Sequence, residues 1–139
     1  MTTFLSLGSN IHPRHHFILQ ACTLIEERVG HIEARSSDFY SAPWGYVSQH
    51  EYLNIALKVQ TCLTPDTLLD TTEQIERELG RVLKNHYTDR SIDIDIIFCF
   101  DDSGNAVSLS SERLTVPHPH WKERDFVYLP LKEIMQTDI

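Results

Sequence analysis

Seven consecutive residues constrain this chain more than any others: Ser91-Ile92-Asp93-Ile94-Asp95-Ile96-Ile97. Isoleucine and aspartate alternate strictly from 92 to 96. β-branched side chains suit strands, and successive strand residues point to opposite faces. The segment therefore predicts a strand over residues 92–100. Ile92, Ile94 and Ile96 lie toward a core, and Asp93 and Asp95 share the other face, about 7 Å apart along the backbone. Aspartate is disfavoured in strands, and two on one face repel unless a cation lies between them. Hard oxygen ligands suit Mg²⁺, which takes one or two carboxylates together with phosphate oxygens. A solvated face of an antiparallel sheet gives the same alternation, so the pair alone leaves both readings open.

The rest of the chain supplies partners for that strand. Residues 2–7 read as a strand ending at the turn signal Gly8-Ser9-Asn10. Pro13 suits the first turn of a helix whose face is Phe17, Ala21, Ile25 and Val29, with Ile18 and Cys22 beside them and Gly30 closing it. A second strand is predicted over residues 32–40, broken by Ser41-Ala42-Pro43-Trp44-Gly45, and a third over 52–60. Thr64-Pro65-Asp66 starts a second helix, with Thr as the cap, Pro at the first helical position and an acid in the first turn. Leu68, Thr72, Ile75, Leu79 and Val82 are its inward face, and Gly80 loosens its end. After the aspartate strand come a turn at Asp101-Asp102-Ser103-Gly104-Asn105, a small strand, Pro-rich loops and a final helix near residues 131–135. This order, βαββαβ, predicts an α+β ferredoxin-like sandwich, an antiparallel sheet flanked by helices. At 139 residues, with no repeat and no linker, it reads as one domain over 1–139.

Charge narrows the function classes. Twelve Lys+Arg stand against 20 Asp+Glu, a net charge of −8. That opposes binding to nucleic acid, which Lys and Arg drive, and docking on anionic membranes. It leaves room for a phosphorylated small molecule, which needs only a local cationic cluster. Seven of the twelve Lys+Arg fall between residues 77 and 124: Arg77, Arg81, Lys84, Arg90, Arg113, Lys122 and Arg124. Carboxylates for a metal, framed by cations, are what polyphosphate chemistry uses; helix-face pairing such as Glu73 with Arg77 is the plainer account. No Gly-x-x-x-x-Gly-Lys-Ser/Thr and no Gly-x-Gly-x-x-Gly is present. Cys22, Cys62 and Cys99 are odd in number and without a Cys-x-x-Cys. They read as free thiols of a cytoplasmic protein, and no apolar run suits a signal peptide or a membrane span.

Three further groups are candidates. His118 and His120 in the segment Arg113-Leu114-Thr115-Val116-Pro117-His118-Pro119-His120, and separately His12, His15 and His16, fall short of a zinc spacing. Donation from His118 to a phosphate or ribose fits its Arg and Thr neighbours better. Trp44, Tyr52 and Asn54 offer rings and an amide suited to a flat heterocycle, although a core Tyr and a buried, backbone-bonded Asn explain the last two equally. Gly8-Ser9-Asn10 either cradles a phosphate or is only a turn.

Taken together, these residues resemble the 6-hydroxymethyl-7,8-dihydropterin pyrophosphokinase family over nearly the whole chain. The resemblance is carried by Gly8-Ser9-Asn10, Phe39-Tyr40, Pro43, Tyr52-Leu53-Asn54, Gly80-Arg81-Val82, Arg90 and Asp93-Ile94-Asp95. It continues through Glu112-Arg113-Leu114-Thr115-Val116-Pro117-His118, Arg124, Phe126 and Pro130-Leu131. It implies transfer of pyrophosphate from MgATP to the hydroxymethyl oxygen of the pterin with release of AMP, in folate biosynthesis. Asp93 and Asp95 would hold two Mg²⁺ ions, and Arg81 and Arg90 would act catalytically on the phosphates. ATP would meet Glu76, Arg81, Lys84, Arg90, Ile96, Arg113, Thr115, His118 and Arg124. The pterin would meet Ala42, Pro43, Trp44, Tyr52, Asn54 and Phe126. Other folate-pathway enzymes are expected partners. The chain departs from the family's usual Arg-Trp-Gly-Pro-Arg at His86-Tyr87-Thr88-Asp89-Arg90, carries Lys84 near an expected arginine, has Trp44 for a smaller residue and Glu73 for a common amide, and stops soon after Leu131. Two other readings are a paralogue that binds ATP or a pterin-like heterocycle with weak or different kinase activity, and a ferredoxin-like RNA-binding module. The pI of 5.4 and the missing aromatic strand motif oppose the second.

Overall fold

A computed structural model describes residues 1–42, 51–80 and 91–135. Their elements run β1 (Thr2–Ser9), α1 (Arg14–Arg28), β2 (Gly30–Arg35), β3 (Phe39–Ser41), β4 (Tyr52–Thr61), α2 (Pro65–Glu78), β5 (Asp93–Phe100), β6 (Leu109–Ser110), β7 (Thr115–Val116) and α3 (Asp125–Met135). The main sheet has the order β2-β4-β1-β5, with β3 also on β4, and every pairing is antiparallel. The crossover through α1 steps over β4, and the crossover through α2 steps over β1. This is the interleaved βαββαβ arrangement that the sequence predicts.

Each face of the sheet has its own apolar cluster. Leu5, Leu7, Ile55, Leu57 and, from β5, Ile94 and Ile96 pack beneath Ile18, Ala21 and Ile25 of α1 and Leu68 and Ile75 of α2. Phe4, Ala56, Ile97 and Phe98 pack on the opposite face against Val127, Leu131 and Ile134 of α3. The helix starts follow local chemistry. The Thr64 hydroxyl accepts from Thr67 N at 3.3 Å with Pro65 next to it, as expected for α2. Pro13 stands just outside α1, and its carbonyl accepts from the His16 and Phe17 amides.

Four expectations are corrected by the packing. First, Gly30 does not close α1; it opens β2, and a Cβ there would lie 1.9 Å from the Gln60 carbonyl oxygen. Its glycine serves close backbone approach. Second, Gly8 and Ser9 belong to β1 and are not turn residues. Third, the strand predicted over 32–40 is two strands. From the pair Arg35↔Leu57 to the pair Phe39↔Asn54, β2 and β3 advance four residues while β4 advances three. The extra residue bulges, and Ser36, 4% exposed, fills the gap. Its amide donates to Ala56 O at 2.9 Å, and its hydroxyl accepts from Ala56 N at 2.8 Å and donates to Ser37 O at 2.9 Å. Ser37 then donates from its amide and its hydroxyl to the Glu133 carboxylate of α3, at 3.0 and 2.8 Å.

Fourth, α3 starts at Asp125, well before residue 131, because the Arg124 carbonyl accepts from Val127 N and Tyr128 N at 2.9 and 2.8 Å. Pro130 is buried inside this helix, so it does not act as the breaker that proline usually is.

A bulge also resets β5. Phe4 pairs with Phe98 and Leu5 with Ile96, which leaves Ile97 over. Ile96 and Cys99 therefore belong to the cluster under α1 and α2, and Ile97 and Phe98 to the cluster under α3. The three cysteines are free, as expected. Among the described residues no helix is long and apolar enough to cross a membrane.

Replacing Ser36 with Ala should cost about 1–3 kcal/mol, because the Ala56 amide is left buried without an acceptor. Urea unfolding checks this. A midpoint equal to the wild type would remove the hydroxyl from its place in the ladder.

Candidate functional site

The register of the central strands assembles the site. Gly8 pairs with Asn54 on one side and with Asp93 on the other; Ser6 pairs with Ala56 and Asp95. Paired residues present their side chains on one face. Strands are spaced by about 4.8 Å, so Asn54 and Asp93 stand roughly 10 Å apart with only a glycine between them. Both aspartates are half-buried and share this face, as their alternation predicts. It is the face that α3 covers farther along, at Phe4 and Ala56.

Gly8 is the floor of this end of the face. A Cβ there would stand 3.1 Å from Asn54 Oδ1 and 3.2 Å from Tyr52 Cδ1. Asn54 and Tyr52 therefore meet over Gly8. Asn54 is 2% exposed. Its Nδ2 donates to the Phe39 carbonyl at 3.0 Å and to Ser41 Oγ at 2.8 Å. The plainer reading of a buried, backbone-bonded asparagine is thus correct for the amide nitrogen, while Oδ1 faces the floor.

On the far side of the aspartates lies the edge of the sheet. The Ile94 amide points away from β1 and donates to Glu76 Oε2 of α2 at 2.8 Å. Glu76 is 2% exposed, so its carboxylate meets the strand from beneath. Ile96 sends its side chain into the core, 4% exposed. By the alternation of an antiparallel ladder its main-chain polar groups turn outward like those of Ile94. Farther along the same edge the His118 amide donates to Ile97 O at 3.0 Å, which holds the segment after β7 beside β5. Thr115, half-exposed, lies in β7 opposite Ser110. His118 Nδ1 accepts from the His120 amide at 3.2 Å. Arg113 precedes β7 and reaches back to α2, with Nη2 2.5 Å from Asp70 and 3.2 Å from Glu73. Asp70, and after it Glu73, strengthens the hold of Arg113 on its proton. Arg124 lies at the head of α3 with its guanidinium 6.0 Å from the Phe126 ring, and Phe126 is half-buried at the rim of the α3 cluster.

Most of the residues singled out from the sequence thus fall in order across one end of the sheet. Tyr52 and Asn54 stand on β4, Asp93 and Asp95 on β5, and Arg113, Thr115 and His118 beyond the β5 edge. Ala42 is exposed just after β3. Pro43, Trp44, Arg81, Lys84 and Arg90, with the altered loop around Leu83 and Asp89, lie outside the described residues. Sequence reasoning missed Gly8 as a floor and Ser41 as a partner of Asn54, because both roles arise only from strand register. Among the described residues no three His, Cys, Asp or Glu side chains gather as a metal site. A pair of carboxylates on an open, glycine-floored face fits a hard cation that takes its other ligands from a bound polyphosphate.

Comparison with known proteins bears directly on this arrangement. A family model described as 7,8-dihydro-6-hydroxymethylpterin-pyrophosphokinase (HPPK) matches residues 4–136. A 2-amino-4-hydroxy-6-hydroxymethyldihydropteridine pyrophosphokinase of Porphyromonas gingivalis is 38% identical over 134 residues, covering 94% of this chain and 88% of the relative. The protein of that name from Bacillus subtilis is also 38% identical, covering 96% and 77%. The bifunctional protein FolKE of Lactococcus lactis is 41% identical over 138 residues, 99% of this chain and 38% of its own length. Among solved structures, an HPPK-DHPS in complex with substrates superposes with a TM-score of 0.70 at 15% identity over 96% of this chain, which spans 40% of that one. The HPPK-DHPS of Plasmodium falciparum with pteroate superposes with a TM-score of 0.67 at 16% identity, covering 95% and 38%. These two likenesses show the fold.

Glu76 supplies a test of how the β5 edge is held. Glu76→Leu should lose about 1–3 kcal/mol by stranding the Ile94 amide, and Glu76→Gln, which keeps an acceptor, should lose less. Equal thermal midpoints for the two variants would argue against the carboxylate as the acceptor that matters.

Proposed function

The chain belongs to the 7,8-dihydro-6-hydroxymethylpterin-pyrophosphokinase family, and we propose that it works at the glycine-floored face between β4 and the β5 edge. It is a transferase that moves pyrophosphate from ATP to the hydroxymethyl group of 6-hydroxymethyl-7,8-dihydropterin in folate biosynthesis, releasing AMP. One observation carries the assignment of the site: Asp93 and Asp95 stand between Asn54 and Tyr52 on one side and the His118 segment on the other. Two substrates that must react end to end need this order.

In this reading the pterin lies over Gly8. Asn54 Oδ1 accepts from its donor edge, and Tyr52 and Phe126 cover its faces, with Ala42, Pro43 and Trp44 closing the loop side. ATP lies along the outward edge of β5. Thr115 and His118 offer donors to it, Ile96 offers its main chain, and Glu76 supports that main chain from beneath. Arg113 and Arg124 take the charge of the phosphates, and the family motif assigns Arg81, Lys84 and Arg90 to the same task. Asp93 and Asp95 would hold two Mg²⁺ ions. Bound there, Mg²⁺ neutralises the triphosphate and acidifies a primary alcohol, which is otherwise a poor nucleophile. The arginines spread over the transferred group where negative charge develops. Arg113 leaves or shares its carboxylates Asp70 and Glu73 to do so. Residues 1–139 act as one domain in this reading. The free thiols favour a reducing compartment such as the cytoplasm. The fused relatives point to other folate-pathway enzymes as partners.

Incubation with MgATP and 6-hydroxymethyl-7,8-dihydropterin should yield AMP in proportion to the pterin consumed. Asp93→Ala or Asp95→Ala should lower kcat by about two to three orders of magnitude, the scale of a lost transition-state electrostatic contact, with circular dichroism unchanged. Wild-type turnover in both variants would overturn the metal assignment. Gly8→Ala should raise KM for the pterin and leave KM for ATP unchanged, because the atoms nearest its methyl group belong to Asn54 and Tyr52. An equal change in both constants would place the floor elsewhere.

A further inference from the structure

The orientation of the Asn54 amide is fixed by two groups of β3. An amide side chain offers an acceptor and two donor hydrogens, and either end can face a ligand. At Asn54 the choice is made by neighbours. The Phe39 carbonyl only accepts, so the atom 3.0 Å from it is the nitrogen. The second hydrogen of that nitrogen goes to Ser41 Oγ at 2.8 Å. Both donors are then spent inside the protein, at a residue 2% exposed. What remains for a ligand is Oδ1, held over the Gly8 floor. A heterocycle lying there meets an acceptor, and must present an N–H.

We propose that Ser41 is a positioning and specificity residue, which locks Asn54 as an acceptor and so selects ring systems whose edge carries a lactam N–H or an exocyclic amine. The proposal rests on the reading above that the pterin lies over Gly8 against Asn54. Ser41 does not touch the ligand in this account; it acts through Asn54. Its own strand is well anchored. The bulge before β3 is filled by Ser36, and Ser37 is gripped by Glu133 of α3. Ser41 therefore offers its hydroxyl from a fixed position, and loss of the hydroxyl removes one of two restraints on the amide. A single hydrogen bond of this kind changes binding by about three- to tenfold.

The test is steady-state kinetics of the whole chain with MgATP and 6-hydroxymethyl-7,8-dihydropterin, together with direct pterin binding by calorimetry. Ser41→Ala should raise KM and Kd for the pterin by about three- to tenfold, with KM for ATP unchanged. Ser41→Cys, nearly the same shape with a weak acceptor, should behave like the alanine variant, and Ser41→Thr, which keeps the hydroxyl, should restore wild-type binding. In an Asn54→Ala background, Ser41→Ala should have no further effect, since the group it positions is gone. If Asn54→Ala weakens pterin binding and Ser41→Ala does not, Ser41 has no positioning role. If Ser41→Ala weakens ATP and pterin equally, or acts undiminished in the Asn54→Ala background, its role is structural and the proposal fails. If Asn54→Ala leaves pterin binding intact, the underlying placement of the pterin is wrong, which is a separate result from failure at Ser41.

Discussion

Gly8 is paired in two ladders at once, opposite Asn54 in β4 and opposite Asp93 in β5, and the arrangement of the site depends on that double pairing. A slip of one residue on either side would turn a whole strand over. On β5 it would drive Asp93 and Asp95 into the cluster beneath α1 and α2 and expose three isoleucines. The penalty for burying two carboxylates among Leu5, Leu7 and Ile55 is what makes the register unambiguous. The fold's stability and the order of its functional groups are therefore set by the same alternation.

That alternation is also why part of the site could be read without a structure. Residues 92–96 carry their own face assignment, and Thr64-Pro65-Asp66 carries its own helix start, since both are local signals. What escaped the sequence was non-local. Ser36 is an ordinary serine until β4 advances three residues against four, and only then does its hydroxyl become part of a ladder. Gly30 looks like a helix terminator until the Gln60 carbonyl is placed 1.9 Å from its missing Cβ. Pro130 looks like a breaker until Arg124 supplies an early helix start. Glu76 is one acid among many in α2, with nothing in its neighbours to show that it meets the Ile94 amide. The family motif named candidate functional residues, and the register shows how those on β4 and β5 come to share one face.

The charge balance acquires a location. The chain is acidic as a whole, and among the described residues Arg28, Arg35 and Arg113 each stand against a carboxylate. Arg113 stands on Asp70 and Glu73, so a guanidinium expected at the phosphates is already held by two carboxylates on α2. Glu73, where the family commonly has an amide, adds a competitor for that cation. An exposed pairing of this kind contributes little to stability. It does hold the Arg113 guanidinium near the head of β7.

The contact between Glu76 and Ile94 also bears on how the molecule avoids its own kind. An edge strand offers unpaired amides and carbonyls to any other extended chain, and long flat edges invite aggregation. On β5 the amide of Ile94 is occupied by a buried carboxylate and the carbonyl of Ile97 by His118. At the opposite border β2 is short and interrupted by an irregularity beside Glu33, with Arg35 exposed. Both borders of the sheet are thus blunted, and the β5 side by the same contacts that organise the proposed nucleotide side. A variant that loosened those contacts would be expected to lose solubility at high concentration along with activity.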